Sequence, residues 1–290
     1  MQQASQNKIL VPSDFSDFFA QTWATALSFA KAYHAEIVLL NVVEPPRIRI
    51  DFEEEVAVKD ARKMAADYVQ THKLDEEVSI STLVKVGKPY KKIIEAALEI
   101  DPLMIVMGTS GADGLEEFFI GSNASRVIRS APCPVVTIRY AQKDYVFNKV
   151  LLPLDLTKET TEKIAKAAEL ADKFKASIHL VSVQPPNEGE GRERLEKQMQ
   201  NAQNYLKAHG VEHVTAEIIT SEDEIGPAIV HYARQIEVDL ICIMTQQEKR
   251  LREYFLGTQA EHFVNHSPFP VLSIRPQNLY VALRAGSIFG

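Results

Sequence analysis

The chain has 290 residues, 46% of them apolar and 24% charged, and a formal net charge of −7. This balance is that of a globular protein with room for two ordinary domains, and the acidic surplus excludes the broad positive footprint of a nucleic-acid or anionic-membrane binder. The opening MQQASQNKIL has no basic segment leading into an apolar run, and no run approaches the ~20 residues of a membrane helix, so a cytoplasmic protein without a secretory signal is expected.

In chain order, β-rich runs near 8–12, 35–43, 78–86, 103–107 and 134–138 predict strands. Apolar residues at helical spacing fall between them. They are Phe19, Trp23, Ala26, Leu27 and Ala30; then Val58, Ala61, Ala65 and Tyr68; then Ile93, Ile94, Ala97 and Leu98. Ala124, Val127 and Ile128 mark one face of a short helix before the last strand. Nearly continuous apolar strands alternating with helices imply a parallel sheet covered on both faces.

The pattern then repeats. KILVPSDFS from Lys8 returns as KVLLPLDLT from Lys149, and AEIVLLNVVEPP from Ala35 as ASIHLVSVQPP from Ala176, each 141 residues on. LMIVM ending at Met107 returns as LICIM ending at Met244, an offset of 137, and APCPVVTIR from Ala131 returns as SPFPVLSIR from Ser267, an offset of 136. The copies therefore differ by small deletions, one of them placed by this alignment inside the segment after the fourth strand. Ile225, Ile229, Tyr232, Ala233 and Ile236 carry the corresponding helix of the second copy. The expected fold is α/β, two tandem doubly wound five-stranded parallel sheets, with domains at 1–142 and 147–277 and a tail at 278–290 that has no counterpart. Cys133 and Cys242, the only cysteines, lie in or beside apolar runs and read as reduced, buried thiols.

The chemistry concentrates in MGTSGADGLEEFFIGSNASRVI, which begins at Met107. Ligands of open α/β sheets sit beyond the carboxyl ends of the strands, where strand order reverses. Gly108 and Gly111 follow the fourth strand there, and Asp14, just past the first strand, reaches the same crevice. Gly121 and Ser122 open the helix of Ala124, Val127 and Ile128, whose free N–H groups and partial positive charge suit a phosphate. The plainer alternative is a glycine-shaped loop with Ser122 as an ordinary cap. Neither a P-loop GxxxxGK[ST] nor a first-strand GxGxxG is present.

Gly108, Gly111, Gly121 and Ser122 meet the pattern G-x2-G-x9-G-[ST]. With ILVPSD at the first strand, LLNVV at the second and the closing APCPVVTIR, the chain resembles the universal stress protein family over nearly its whole length. The resemblance implies an adenine-nucleotide alpha-hydrolase-like, Rossmann-like fold and the ATP-binding branch of the family, with Mg2+ able to accompany the nucleotide. It places Pro12 and Asp14 beside the adenosine, Val42 on the adenine through its backbone, and Met107 and Gly108 along the nucleoside. Gly111, Gly121, Ser122 and Asn123 would meet the phosphates and ribose. It also implies pairing of the domains through Pro134–Ile138 and Pro270–Ile274, and a homodimer of chains. The second copy keeps Pro153, Asp155, Gly257 and Thr258. This alignment sets Thr245 against Gly108, and Glu248 or a neighbour against Gly111, where an acid would repel a polyphosphate, so weak or absent ATP binding is expected there.

The leading function is an ATP-binding regulatory stress protein, with the second domain mainly for pairing. Without an evident general base or P-loop lysine, hydrolysis would be slow at most. A nucleotide-independent stress scaffold is the alternative, and an adenylating enzyme is disfavoured because VPSDFS stands where an SGGxDS-type loop would be. His262 and His266 have metal-ligand spacing but no third ligand nearby, and read as surface or interface residues. Glu53, Glu54 and Glu55 read as a solvated helix start, and Arg47 and Arg49 as loop residues within reach of a triphosphate. No GxSxG is present, and neither cysteine has an evident base partner.

Overall fold

Ile9, Leu10 and Val11, Ile37 to Leu40, and Met104 to Val106 are buried at consecutive positions, so these segments are covered on both faces and form interior strands. The computed structural model describes residues 7–45, 51–72, 77–109, 120–140, 145–154, 160–186, 191–245 and 258–276. The chain divides near residue 141 into two compact units.

The first unit runs β1 (Lys8–Ser13), α1 (Phe19–Tyr33), β2 (Glu36–Val43), α2 (Asp51–His72), β3 (Ile80–Val86), α3 (Pro89–Ile100), β4 (Met104–Gly108), α4 (Ser122–Ser130) and β5 (Val135–Ile138). Its strands pair in parallel in the order β3-β2-β1-β4-β5. The second runs β6 (Lys149–Pro153), α5 (Thr160–Phe174), β7 (Ser177–Gln184), α6 (Arg192–Ala208), β8 (Val214–Thr220), α7 (Ile225–Gln235), β9 (Leu240–Met244), α8 (Thr258–His266) and β10 (Val271–Ile274). Its order is β8-β7-β6-β9-β10, again parallel. In each unit the order reverses at the first strand, and right-handed crossovers put the first two helices on one face and the last two on the other.

The helical stripes predict burial well for α1, where Phe19, Trp23, Ala26, Leu27 and Ala30 are all buried. On α3 the stripe is narrower than expected: Ile93, Ile94 and Ala97 are buried, but Leu98 is 39% exposed, one position round the helix. Ile225 is 42% exposed because it is the first residue of α7, ahead of the buried Ile229, Tyr232 and Ala233. Tyr68 fixes α2 to α1, its ring 5.1 Å from Phe19, 5.5 Å from Trp23 and 5.7 Å from Phe15. The Trp23 indole N–H donates to the His72 carbonyl at 3.1 Å. Both cysteines are buried and free of disulfides, and burial pushes the Cys242 thiol up to about 12.

The strand pairing corrects the alignment of the two copies. Gly108 pairs with Ile138, and Met244 with Ile274. The Thr109 N–H donates to the Ile138 carbonyl at 2.9 Å and the Thr245 N–H to the Ile274 carbonyl at 2.9 Å, and each hydroxyl donates to the same carbonyl. Asp101 and Glu237, both left-handed, and the helix starts Ser122 and Thr258 keep the same offset of 136. Met244, not Thr245, therefore stands at the place of Gly108, and no residue is lost in the glycine segment. At that offset the counterpart of Gly111 is Gln247, not Glu248, which removes the expected acidic repulsion; Gly111, Gln247 and Glu248 lie outside the described residues. The runs LMIVM and LICIM slide past each other by one residue without disturbing their hydrophobicity, whereas the threonine hydrogen bonds do not.

Candidate functional site

The pairing of β1 with β4 ends at Leu10 and Ile105, although β1 continues to Ser13 and β4 to Gly108. Pro12, which has no N–H to offer, lies in the unpaired part. The carboxyl ends of the two central strands are thus not zipped together, at the point where strand order reverses.

One wall is the turn after β1. The Phe15 N–H donates to Ser13 Oγ at 2.9 Å and the Ser16 N–H to Asp14 Oδ1 at 3.0 Å, with Phe15 left-handed at φ 55. Asp14 is exposed. The tip of β2 is tied to this turn by Asn41, whose side-chain amide donates to the Ser13 carbonyl at 2.9 Å. The Glu36 N–H donates to Asn7 on the β1 side, so strand alternation directs the Val42 N–H and C=O to that side too. The Val42 carbonyl lies past the last β1 pair, Asn41 with Ser13. The next donor along, the Phe15 N–H, has turned onto Ser13 instead.

The other wall is the end of β4 and the start of α4. Gly108 is paired as an extended residue, and the described glycines with positive φ are Gly87 and Gly210. Gly108 therefore has an ordinary strand backbone, and what sets it apart is the lack of a side chain. In the second unit Met244, 3% exposed, fills the same place with a side chain. The Gly121 N–H donates to the Thr109 carbonyl at 2.7 Å, bringing the start of α4 back onto the end of β4.

Gly121, not Ser122, is the cap residue of α4; no side-chain hydrogen bond caps this helix, and its first turn has no acid. Ser122 is its exposed first residue, and Asn123, half-buried, follows. Reading Ser122 as an ordinary cap is thereby set aside. The first turn of α8, by contrast, contains Glu261, which offsets the helix's positive end. Pro12, Asp14, Val42, Met107, Gly108, Gly121, Ser122 and Asn123 all belong to the carboxyl edge of the first sheet. Gly111, Arg47, Arg49, Asp155 and Gly257 lie outside the described residues.

Sequence reasoning missed a contact on the face of α3 and α4, where the Arg126 guanidinium lies 4.7 Å from the Tyr90 ring centroid. No motif marks it, since it depends on two helices being neighbours. Its counterparts in the second unit, at the same offset, are His262 and Gly226. A Cβ on Gly226 would come within 2.7 Å of the His262 ring, so the missing side chain makes room for the imidazole. His262 stacks on His266 at 4.4 Å and is held below its ordinary pKa by burial, then by His266, with Glu224 opposing. These histidines serve helix packing, and among the described residues no three His, Cys, Asp or Glu side chains gather as a metal site.

A duplicated, doubly wound α/β unit whose carboxyl edge is open defines a tandem Rossmann-like protein. The sequence model of the universal stress protein family matches residues 6–139 and 147–275, and the chain belongs to that family. It is 32% identical over 151 residues to a universal stress protein of Methanocaldococcus jannaschii, covering 47% of this chain and 84% of that one. It is 29% identical over 147 residues to universal stress protein YxiE of Bacillus subtilis, covering 46% and 99%. A universal stress protein structure from Archaeoglobus fulgidus superposes with a TM-score of 0.77 at 21% identity, covering 93% of this chain and 98% of that one, which shows the fold. Among the described residues no helix is long and apolar enough to cross a membrane.

Proposed function

We propose that the first unit binds ATP at its carboxyl edge and that the chain is a nucleotide-responsive regulatory protein whose second unit binds ATP weakly or not at all. The observation that carries this is the contrast at equivalent places. Gly108 has no side chain where Met244 has a buried one, and α4 begins without side-chain cap or acid where α8 has Glu261. In this reading Pro12 and Asp14 flank the adenosine and the Val42 backbone meets the adenine edge. Met107 and Gly108 line the nucleoside, while Gly111, Gly121, Ser122 and Asn123 take the phosphates and ribose. Unpaired amides at a helix start and a close backbone approach are the elements a polyphosphate needs. Any Mg2+ would arrive on the phosphates.

The test is calorimetric titration of the whole chain with ATP. One site per chain is expected, lost in Gly108→Met. Two equivalent sites, or binding unaffected by that substitution, would overturn the proposal, and no binding at all would favour the nucleotide-independent scaffold.

A further inference from the structure

We infer that Arg126, held by Tyr90, sets the preference of the first unit for nucleotides with a long phosphate chain. This rests on the nucleotide reading above. Arg126 is four residues into α4 from Ser122, on the same side of the helix and about 6 Å along the axis. Helical side chains lean toward the N-terminus, so an arginine here leans toward the uncapped helix start. Tyr90 is the second residue of α3, which begins after Lys88 with no side-chain cap and no acid in its first turn. The ring thus pins the guanidinium where two uncapped helices begin.

The guanidinium carbon lies 4.7 Å from the ring centroid, and a guanidinium held against an aromatic ring keeps planar N–H donors of the kind that phosphate oxygens accept. Among the described residues the Arg126 guanidinium has no carboxylate or hydrogen-bond partner. Its neighbour Arg129, in contrast, donates to Ser125 Oγ at 2.9 Å. Arg126 is exposed, and pairing it with Tyr90 lowers the cost of ordering a long side chain before a ligand arrives. In the second unit both halves are exchanged together. The ring is gone at Gly226 and the permanent cation at His262, with the imidazole packed into the vacated space.

An α-phosphate at the start of α4 would be met by backbone amides, in AMP and ATP alike. In this inference the guanidinium engages the outer phosphates, so the arginine discriminates by chain length and leaves adenosine recognition alone.

Affinities for ATP, ADP and AMP would be measured on the full chain, on Arg126→Gln and on Tyr90→Leu, with thermal melting as a folding control. Arg126→Gln should weaken ATP about tenfold or more while changing AMP less than about threefold, the size of one charge-assisted hydrogen-bonded pair. Tyr90→Leu should weaken ATP by a smaller factor in the same direction. An unchanged ATP-to-AMP ratio in Arg126→Gln, with the parent chain still binding ATP, overturns this inference and leaves the nucleotide site standing. Failure of the parent chain to bind any of the three overturns the nucleotide reading and this inference with it.

Discussion

The Gly121 N–H lies 2.7 Å from the Thr109 carbonyl oxygen, and a Cβ on Gly121 would lie 2.9 Å from that same oxygen. The obstacle is backbone, so no side chain can swing aside to relieve it. This glycine is demanded by the fold before any ligand is considered.

Gly121→Ala should therefore destabilise the first unit by about 2 kcal/mol, as overpacking against a fixed wall does. Gly108→Ala, at an extended residue, should cost under about 1 kcal/mol, the weaker effect of a strand substitution. Urea unfolding of the two variants gives the comparison, and equal costs would contradict it.

Among the described residues the buried Tyr68 hydroxyl has no hydrogen-bond partner, and burial pushes its pKa up to about 12. Tyr68→Phe removes an unsatisfied polar atom and keeps the ring contacts with Phe15, Phe19 and Trp23. Its stability at pH 7 should stay equal or rise by up to about 1 kcal/mol. The folded state holds this proton more tightly than the unfolded chain, so its contribution is full below about pH 10 and is lost as pH rises toward 12. Alkaline unfolding of Tyr68→Phe should be shallower than that of the parent. Part of the slope should remain, because Tyr232, buried and bonded to Glu217, is raised to about 12 as well.

Acid should loosen the second unit before the first. His262 is held below its ordinary value by burial and His266, and His179 by burial and Lys149. A histidine depressed in the folded state contributes fully above its unfolded value of 6.5, and the contribution is lost as pH falls below it. The equivalent places in the first unit hold no histidine: they are Arg126 and Val38. Limited proteolysis at pH 5 should cut the second unit first, and His179→Val should delay it. Simultaneous cutting of both units would contradict this.

Much of the fold was legible in the sequence. Ile9 to Val11 and Met104 to Val106 are apolar at every position, which only a strand covered on both faces requires. The register of β9 was not legible, because LICIM offers no polar landmark within it; the hydrogen bonds of Thr109 and Thr245 supply one only after folding. Leu98 was misplaced because a stripe of helical spacing gives a direction but not a width. At the site, glycine spacing located the edge, but could not separate Gly108, which has an ordinary strand backbone, from Gly121, which the backbone contact demands. The pair of Arg126 and Tyr90 was invisible for a different reason. Its partners are 36 residues apart and meet only because α3 and α4 are neighbours.

The chain has one tryptophan, Trp23, and Tyr68 connects it to Phe15, the residue after Asp14. Excited at its red edge, the protein therefore emits from a single fluorophore beside the turn that walls the candidate site. Any shift in that emission on adding a ligand reports the first half of the chain without a label. Because that fluorophore belongs to the first copy, a cuvette is enough to follow the turn beside Asp14 during a titration.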